Sequence, residues 1–205
     1  MVRMAPEDRR EAIVAAALAV ARRKGLASTT VRDVAAEMGT SSGLVHHYFA
    51  HMDDVLAAAF EHVAEEDLRQ TAESMAATPY PAEALVRFFR AYAPADADPA
   101  FQLWLDAWAE ASRRPAIQAT SRRLNLRWHA LLEETIRRGM GTARFRCHDP
   151  SGAAWRILSL VDGLALQVVA HGTTVSRADA FAWAAEASER ELGLPAGALT
   201  SGRTR

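Results

Sequence analysis

Five side chains suited to anion and base recognition lie within residues 32–51: Arg32, His46, His47, Tyr48 and His51. An arginine can fork onto guanine, and a histidine can donate to guanine N7 or O6. A tyrosine hydroxyl reaches a phosphate, the kind of contact that sets register rather than sequence preference. Among them stand Ser41, Ser42, Gly43 and Leu44, mostly small or polar, which suits close approach to a duplex. If the imidazoles face phosphates, binding tightens on acidification. His47 and His51 also have the i, i+4 spacing of helical metal ligands. No cysteine accompanies them, and the nearest acids, Asp53 and Asp54, open the next helix. No metal and no cofactor is therefore expected.

A second set is aromatic: Phe88, Phe89, Tyr92, Trp104, Trp108, Trp128 and Trp155. With Asp106 or Glu110 nearby, such rings can box a cationic small molecule through cation–π attraction. An apolar aromatic effector fits the same set, and rings at helical spacing are also ordinary core.

The first set needs two short helices and a tight turn to present it. In STTVRDVAAEMGTSSGLVHHYF, residues 28–49, Val31, Val34, Ala35 and Met38 fall at i, i+3, i+4, i+7, one inward face. Thr30 suits the N-cap, and Gly39 suits the left-handed stop. Ser41 can cap the next helix, whose Val45 and Phe49 point inward together. This is the pattern of a helix-turn-helix that lays its second helix in the major groove.

The remaining periodicities are helical, with no alternating strand signal. Helices are expected at about 6–24, 53–75, 82–93, 100–113, 115–138, 151–171 and 177–192. With the two short ones they make an all-α fold of about nine helices. A three-helix DNA-binding domain would occupy residues 1–52, and a helical ligand-binding and dimerisation domain residues 53–194. Residues 195–205, small and polar, read as a disordered tail. The helix at 151–171 is apolar around most of its circumference and must be covered on most sides. Symmetric pairing of Leu160, Leu164, Val168, Phe181, Ala185 and Ser188 with a second copy would cover it and set two DNA half-sites about 34 Å apart.

Charge is distributed unevenly over 205 residues of net charge −1. Residues 1–52 hold seven Lys/Arg against five Asp/Glu, residues 53–75 seven acids against one arginine, and residues 113–146 nine arginines against two glutamates. The last two runs read as solvated helix faces. The single cysteine, Cys147, excludes an internal disulfide and fits a reducing, cytoplasmic location. No span long and uncharged enough to cross a bilayer is expected, so no membrane partner. A phosphate loop, a nucleophile elbow and HExxH are all missing, so an enzyme is not expected. An all-helical enzyme and a DNA-binding protein without an effector are the alternatives to a ligand-responsive regulator.

Helix 1 ending in RRKG, then TTVRDVA, GTSSGLVHHYF and DDVL together resemble the N-terminal domain of TetR-type repressors, over about residues 9–56. The segment from GTARFRCHDP to RILSLVDGLALQ resembles the ligand-binding domain of the BetI-like, choline-responsive subset. The resemblance implies a homodimer that represses transcription from a double-stranded operator and leaves it when a small molecule binds. By position it implies base-edge contacts for Arg32, Ser42, Gly43, Leu44 and His47, and places Thr30, His46 and Tyr48 near phosphates. Three departures stand out. Thr40 replaces an apolar residue, and His46 replaces an aromatic one. Met52 replaces a phosphate-binding lysine, for which Arg3, Arg9, Arg10 or His51 could substitute.

Overall fold

The computed structural model describes residues 5–91, 98–171 and 174–200. Among them are nine α-helices and no strand: α1 Pro6–Lys24, α2 Val31–Glu37, α3 Ser42–Tyr48, α4 Met52–Ala76, α5 Pro81–Ala91, α6 Asp98–Ala111, α7 Pro115–Gly141, α8 Pro150–His171 and α9 Arg177–Glu191. The expected bounds hold to within about three residues wherever they fall on described positions. Two compact units form. One joins the described residues up to Glu66 to Gln102–Leu124, and the other joins Asp67–Phe101 to the described residues from Asn125 onward. The changes from one unit to the other fall within α4, α6 and α7.

In the first unit α1 packs on α2, and α2 on α3. The inner face of α1 (Ile13, Ala16, Ala17, Val20 and Ala21) is buried as its periodicity requires. α2 starts with a full capping box. The Thr30 hydroxyl accepts from the Asp33 N–H, and the Asp33 carboxylate accepts from the Thr30 N–H. The ammonium of Lys24, the chain's lone lysine, also bonds Asp33. That contact first, and the Thr30 hydroxyl second, hold the Asp33 carboxyl down to about 2. α2 ends in a Schellman turn: Gly39 has φ +62°, its N–H donates to Ala36, and Thr40 N–H donates to Ala35.

The acidic and basic runs are more interlocked than solvated faces would be. In the first unit Arg114, just before α7, meets Asp53 at 2.5 Å and Glu110 at 2.7 Å, and Arg123 of α7 meets Glu61 at 2.7 Å. Asp106 on α6 accepts the Leu26 N–H at 2.9 Å, tying α6 to the turn after α1.

In the second unit α9 packs on α8 and α5. Phe145, in the loop after α7, is buried, and the Arg146 N–H donates to the Leu192 carbonyl at 2.8 Å. Residues 195–200 are not the loose tail their composition implies. Leu199 is fully buried, and the buried Glu189 carboxylate accepts the Gly197 and Leu199 N–H groups at 2.9 and 2.7 Å. A buried carboxylate needs such partners, and here backbone amides eight and ten residues on supply them. Residues 201–205 lie outside the described residues.

Helix α8 corrects another expectation. It is 22 residues long with a mean hydropathy of 1.4 in its most apolar stretch, long and apolar enough by composition to cross a membrane. Only 28% of that stretch is buried within the chain. Arg156 and Asp162 interrupt it too sparsely to lower its hydropathy further.

Candidate nucleic-acid interface and sensing half

Helix α3 is seven residues long, too short to hold itself in place. Val45 and Phe49 anchor it, at 1% and 3% exposure. Ser41 stands at its N-cap with extended backbone, but its side chain makes no capping bond, contrary to expectation. The hydroxyl is left on an exposed residue. His46, His47, Gly43 and Arg32 are exposed as well, and Ser42, Leu44 and Tyr48 are half-buried. His47 and Tyr48 meet edge to face, with ring centroids 5.1 Å apart. Thr30 is exposed, but its hydroxyl and N–H are both engaged by Asp33, so its role in the structure is to start α2. His51 donates its N–H to Asp54, the residue three places into α4.

The candidate replacements for the phosphate-binding lysine fare differently. Arg3 lies outside the described residues. Arg10 stacks its guanidinium over Phe49 at 4.0 Å and donates to the Tyr48 carbonyl at 3.1 Å. Arg10 as a residue is exposed, but its guanidinium is engaged by these two protein partners. Arg9 is half-buried and His51 exposed.

Six of the seven rings expected to form one box fall among the described residues. Trp104 and Trp108 belong to the first unit, where Trp104 meets Phe60 edge to face at 4.8 Å. Phe88, Phe89, Trp128 and Trp155 belong to the second, and Tyr92 lies outside the described residues. Helical periodicity marks rings that face inward, not which interior they face. In the second unit Trp128 meets Phe88 at 6.1 Å, Phe88 meets Phe89 at 5.6 Å, and Phe89 meets Phe181 at 6.2 Å. Trp155 stacks on His129 at 4.3 Å, and His129 Nε2 donates to the Ser151 carbonyl at 2.9 Å. Asp106 and Glu110 are not free to hold a cation: the first accepts from Leu26 and Gln102, the second pairs with Arg114 and Arg113.

A different acid stands out in the second unit. Asp162 lies two helical turns from Trp155 on the same stripe of α8. It is partly buried, and burial alone pushes its carboxyl up to about 7. Among the described residues no cation pairs with it. Sequence reading missed it as a site because one acid on an apolar helix carries no spacing signal.

Of the six residues expected at a subunit interface, Ala185 and Ser188 are buried inside the chain, and the Ser188 hydroxyl donates to the Ala184 carbonyl at 2.7 Å. Their small size serves packing within the chain. Leu160, Leu164, Val168 and Phe181 stay partly exposed. Leu166 and Trp183 are also exposed, at 37% and 47%, and were not foreseen; Leu166 points to the opposite side of α8 from Leu164 and Val168.

These features agree with two family models. Residues 13–59 match the bacterial regulatory proteins of the tetR family, and residues 81–193 match the C-terminal domain of BetI-type transcriptional repressors. The chain belongs to the TetR family, with a BetI-type C-terminal half. Such proteins are transcriptional regulators, not enzymes. The TetR-family chain is 29% identical over 167 residues to the HTH-type transcriptional regulator BetI of Burkholderia mallei, covering 78% of this chain and 82% of that one. A solved transcriptional regulator of Pseudomonas aeruginosa PAO1 superposes with a TM-score of 0.79 at 27% identity, covering 98% and 97% of the two chains. One from Saccharomonospora viridis, solved in complex with choline, superposes at 0.80 with 24% identity over 91% and 98%, a likeness of fold.

Proposed function

We propose that this TetR-family regulator represses transcription as a cytoplasmic homodimer and leaves its operator when a small cationic molecule enters the second unit. Residues 1–52 read DNA, and residues 53–194 sense and dimerise. The observation that carries the reading is α3: Val45 and Phe49 hold it from behind while His46 and His47 face outward. Arg32, Ser42, Gly43, Leu44 and His47 meet base edges, and Ser41, His46 and Tyr48 meet phosphates. Thr30 acts indirectly, by fixing the start of α2. The apolar stripe of Leu160, Leu164 and Val168 is covered, together with Phe181, by the same surface of a second copy, as a symmetric interface requires.

A cationic effector is favoured by Asp162, a partly buried acid with no cation beside it among the described residues. A bound ammonium group would offset the cost of ionising that carboxyl. The choline bound by the Saccharomonospora viridis protein is of this class. The edge-to-face packing of Phe88, Phe89 and Trp128 favours a second reading, a regulator whose filled interior takes no effector.

The test begins with selection of bound sequences from a random duplex pool. The selected duplex is then titrated with protein in the presence of choline, an aromatic amine or a carboxylic acid. Release by the cations alone supports the proposal. Release by the acid alone removes the cationic effector, and release by none favours the second reading.

A further inference from the structure

We infer that Arg10, outside the reading helix, is a positioning residue for sequence recognition: it pins the carboxyl end of α3 to α1. The inference rests on α3 being the reading helix. The last carbonyls of a helix have no partner within it. Arg10, 38 residues away in sequence, takes the Tyr48 carbonyl at 3.1 Å. The same guanidinium lies 4.0 Å over the Phe49 ring, which is itself 97% covered. One planar group thus holds both the last residue of α3 and the residue that ends it. At the other end Ser41 makes no side-chain cap, so this grip has no counterpart there.

The surroundings argue against the simpler role of a phosphate contact. Arg10 borders a hollow of about 330 Å³ in the first unit, whose other walls include Tyr48, Phe49, Asp54, Glu61 and Thr120. A phosphate entering there would meet the Asp54 carboxylate, and Glu61 beside it is paired with Arg123. Arg10 also stacks and donates at once, which a lysine ammonium cannot reproduce. Tilting a seven-residue helix moves His47 relative to the bases, while contacts to phosphate tolerate such a shift better. Losing the clamp should therefore cost the specific complex more than the nonspecific one.

The experiment compares full-length wild type, Arg10→Lys and Arg10→Gln on the duplex selected from a random pool and on a scrambled duplex, across a salt series. Positioning predicts that both variants lose about tenfold or more on the selected duplex, the scale of one good base contact. It predicts little change on the scrambled duplex and an unchanged salt slope. A phosphate contact predicts the opposite: Arg10→Lys close to wild type, with Arg10→Gln weaker on both duplexes alike and its salt slope reduced by about one. Either that pattern or full affinity in Arg10→Lys overturns the inference. If Arg10→Gln fails to fold, Arg10→Lys decides alone, because it keeps the charge and the stem. A wild type that selects no sequence removes the reading helix itself, an outcome separate from failure of the clamp.

Discussion

The first three helices and the last two are held together in different ways. The α1–α3 region is fastened by short polar bonds: the Thr30–Asp33 capping box, Lys24 on Asp33, the Gly39 turn, and Arg10 on Tyr48. The α8–α9 region relies on apolar surface, much of it left bare in a single chain. Polar bonds with fixed geometry suit an element that must hold one orientation. A bare apolar surface suits one that is completed by association, since such a patch on a lone soluble chain is a liability.

The largest effect should come from breaking the apolar side. Leu164→Glu buries a charge at the proposed symmetric contact, once on each subunit. It should yield monomers by light scattering and weaken operator binding roughly a hundredfold or more, because each half-site then binds alone. A monomer with full operator affinity would place dimerisation elsewhere.

Asp162 sharpens the same side through pH. Its carboxyl sits at about 7 in the folded chain, raised by burial above its ordinary value of 3.8. The folded state therefore holds a proton that the unfolded state loses between those pH values. Stability falls as pH rises from about 4 to 7, and the loss is complete above 7. Asp162→Asn should remove that slope and raise stability at pH 8 by roughly 1–4 kcal/mol. Thermal melts from pH 5 to 8 that match wild type would contradict the burial argument. Choline should stabilise wild type more than the variant if Asp162 faces the effector.

Glu189 tests the opposite limit, a polar bond in the apolar half. Glu189→Ala strands the Gly197 and Leu199 amides and should cost about 1–3 kcal/mol in chemical denaturation. Operator affinity, measured well below the melting temperature, should hold. On the polar side, His47→Ala should relax preference at one base position, worth about 1–3 kcal/mol, while affinity for scrambled DNA changes little. A uniform loss on every sequence would make His47 a phosphate contact.

The two regions also differ in how far they could be read beforehand. The helix-turn-helix was legible because its determinants act over a few residues: Thr30 on Asp33, Gly39 on Ala35 and Ala36, and Val45 with Phe49 on one face. Helix boundaries elsewhere followed from the same short-range signals. What could not be read were bonds between distant positions, such as Leu26 to Asp106, Asp53 to Arg114, and Leu199 to Glu189. Periodicity identified the rings that turn inward, yet it could not divide Trp104 and Trp108 from Phe88 and Trp128. Small residues on α9 invited close approach, but Ala185 and Ser188 receive it from their own chain. The unforeseen Leu166 and Trp183 could have been flagged only by knowing which side α8 and α9 turn to each other.

The most direct measurement is a hydroxyl-radical footprint on the selected duplex, read with the mass of the complex in solution. Two protected patches centred about 34 Å apart, on a complex containing two chains, are expected from paired α3 helices. One protected patch, held at full strength by a single chain, would contradict the account.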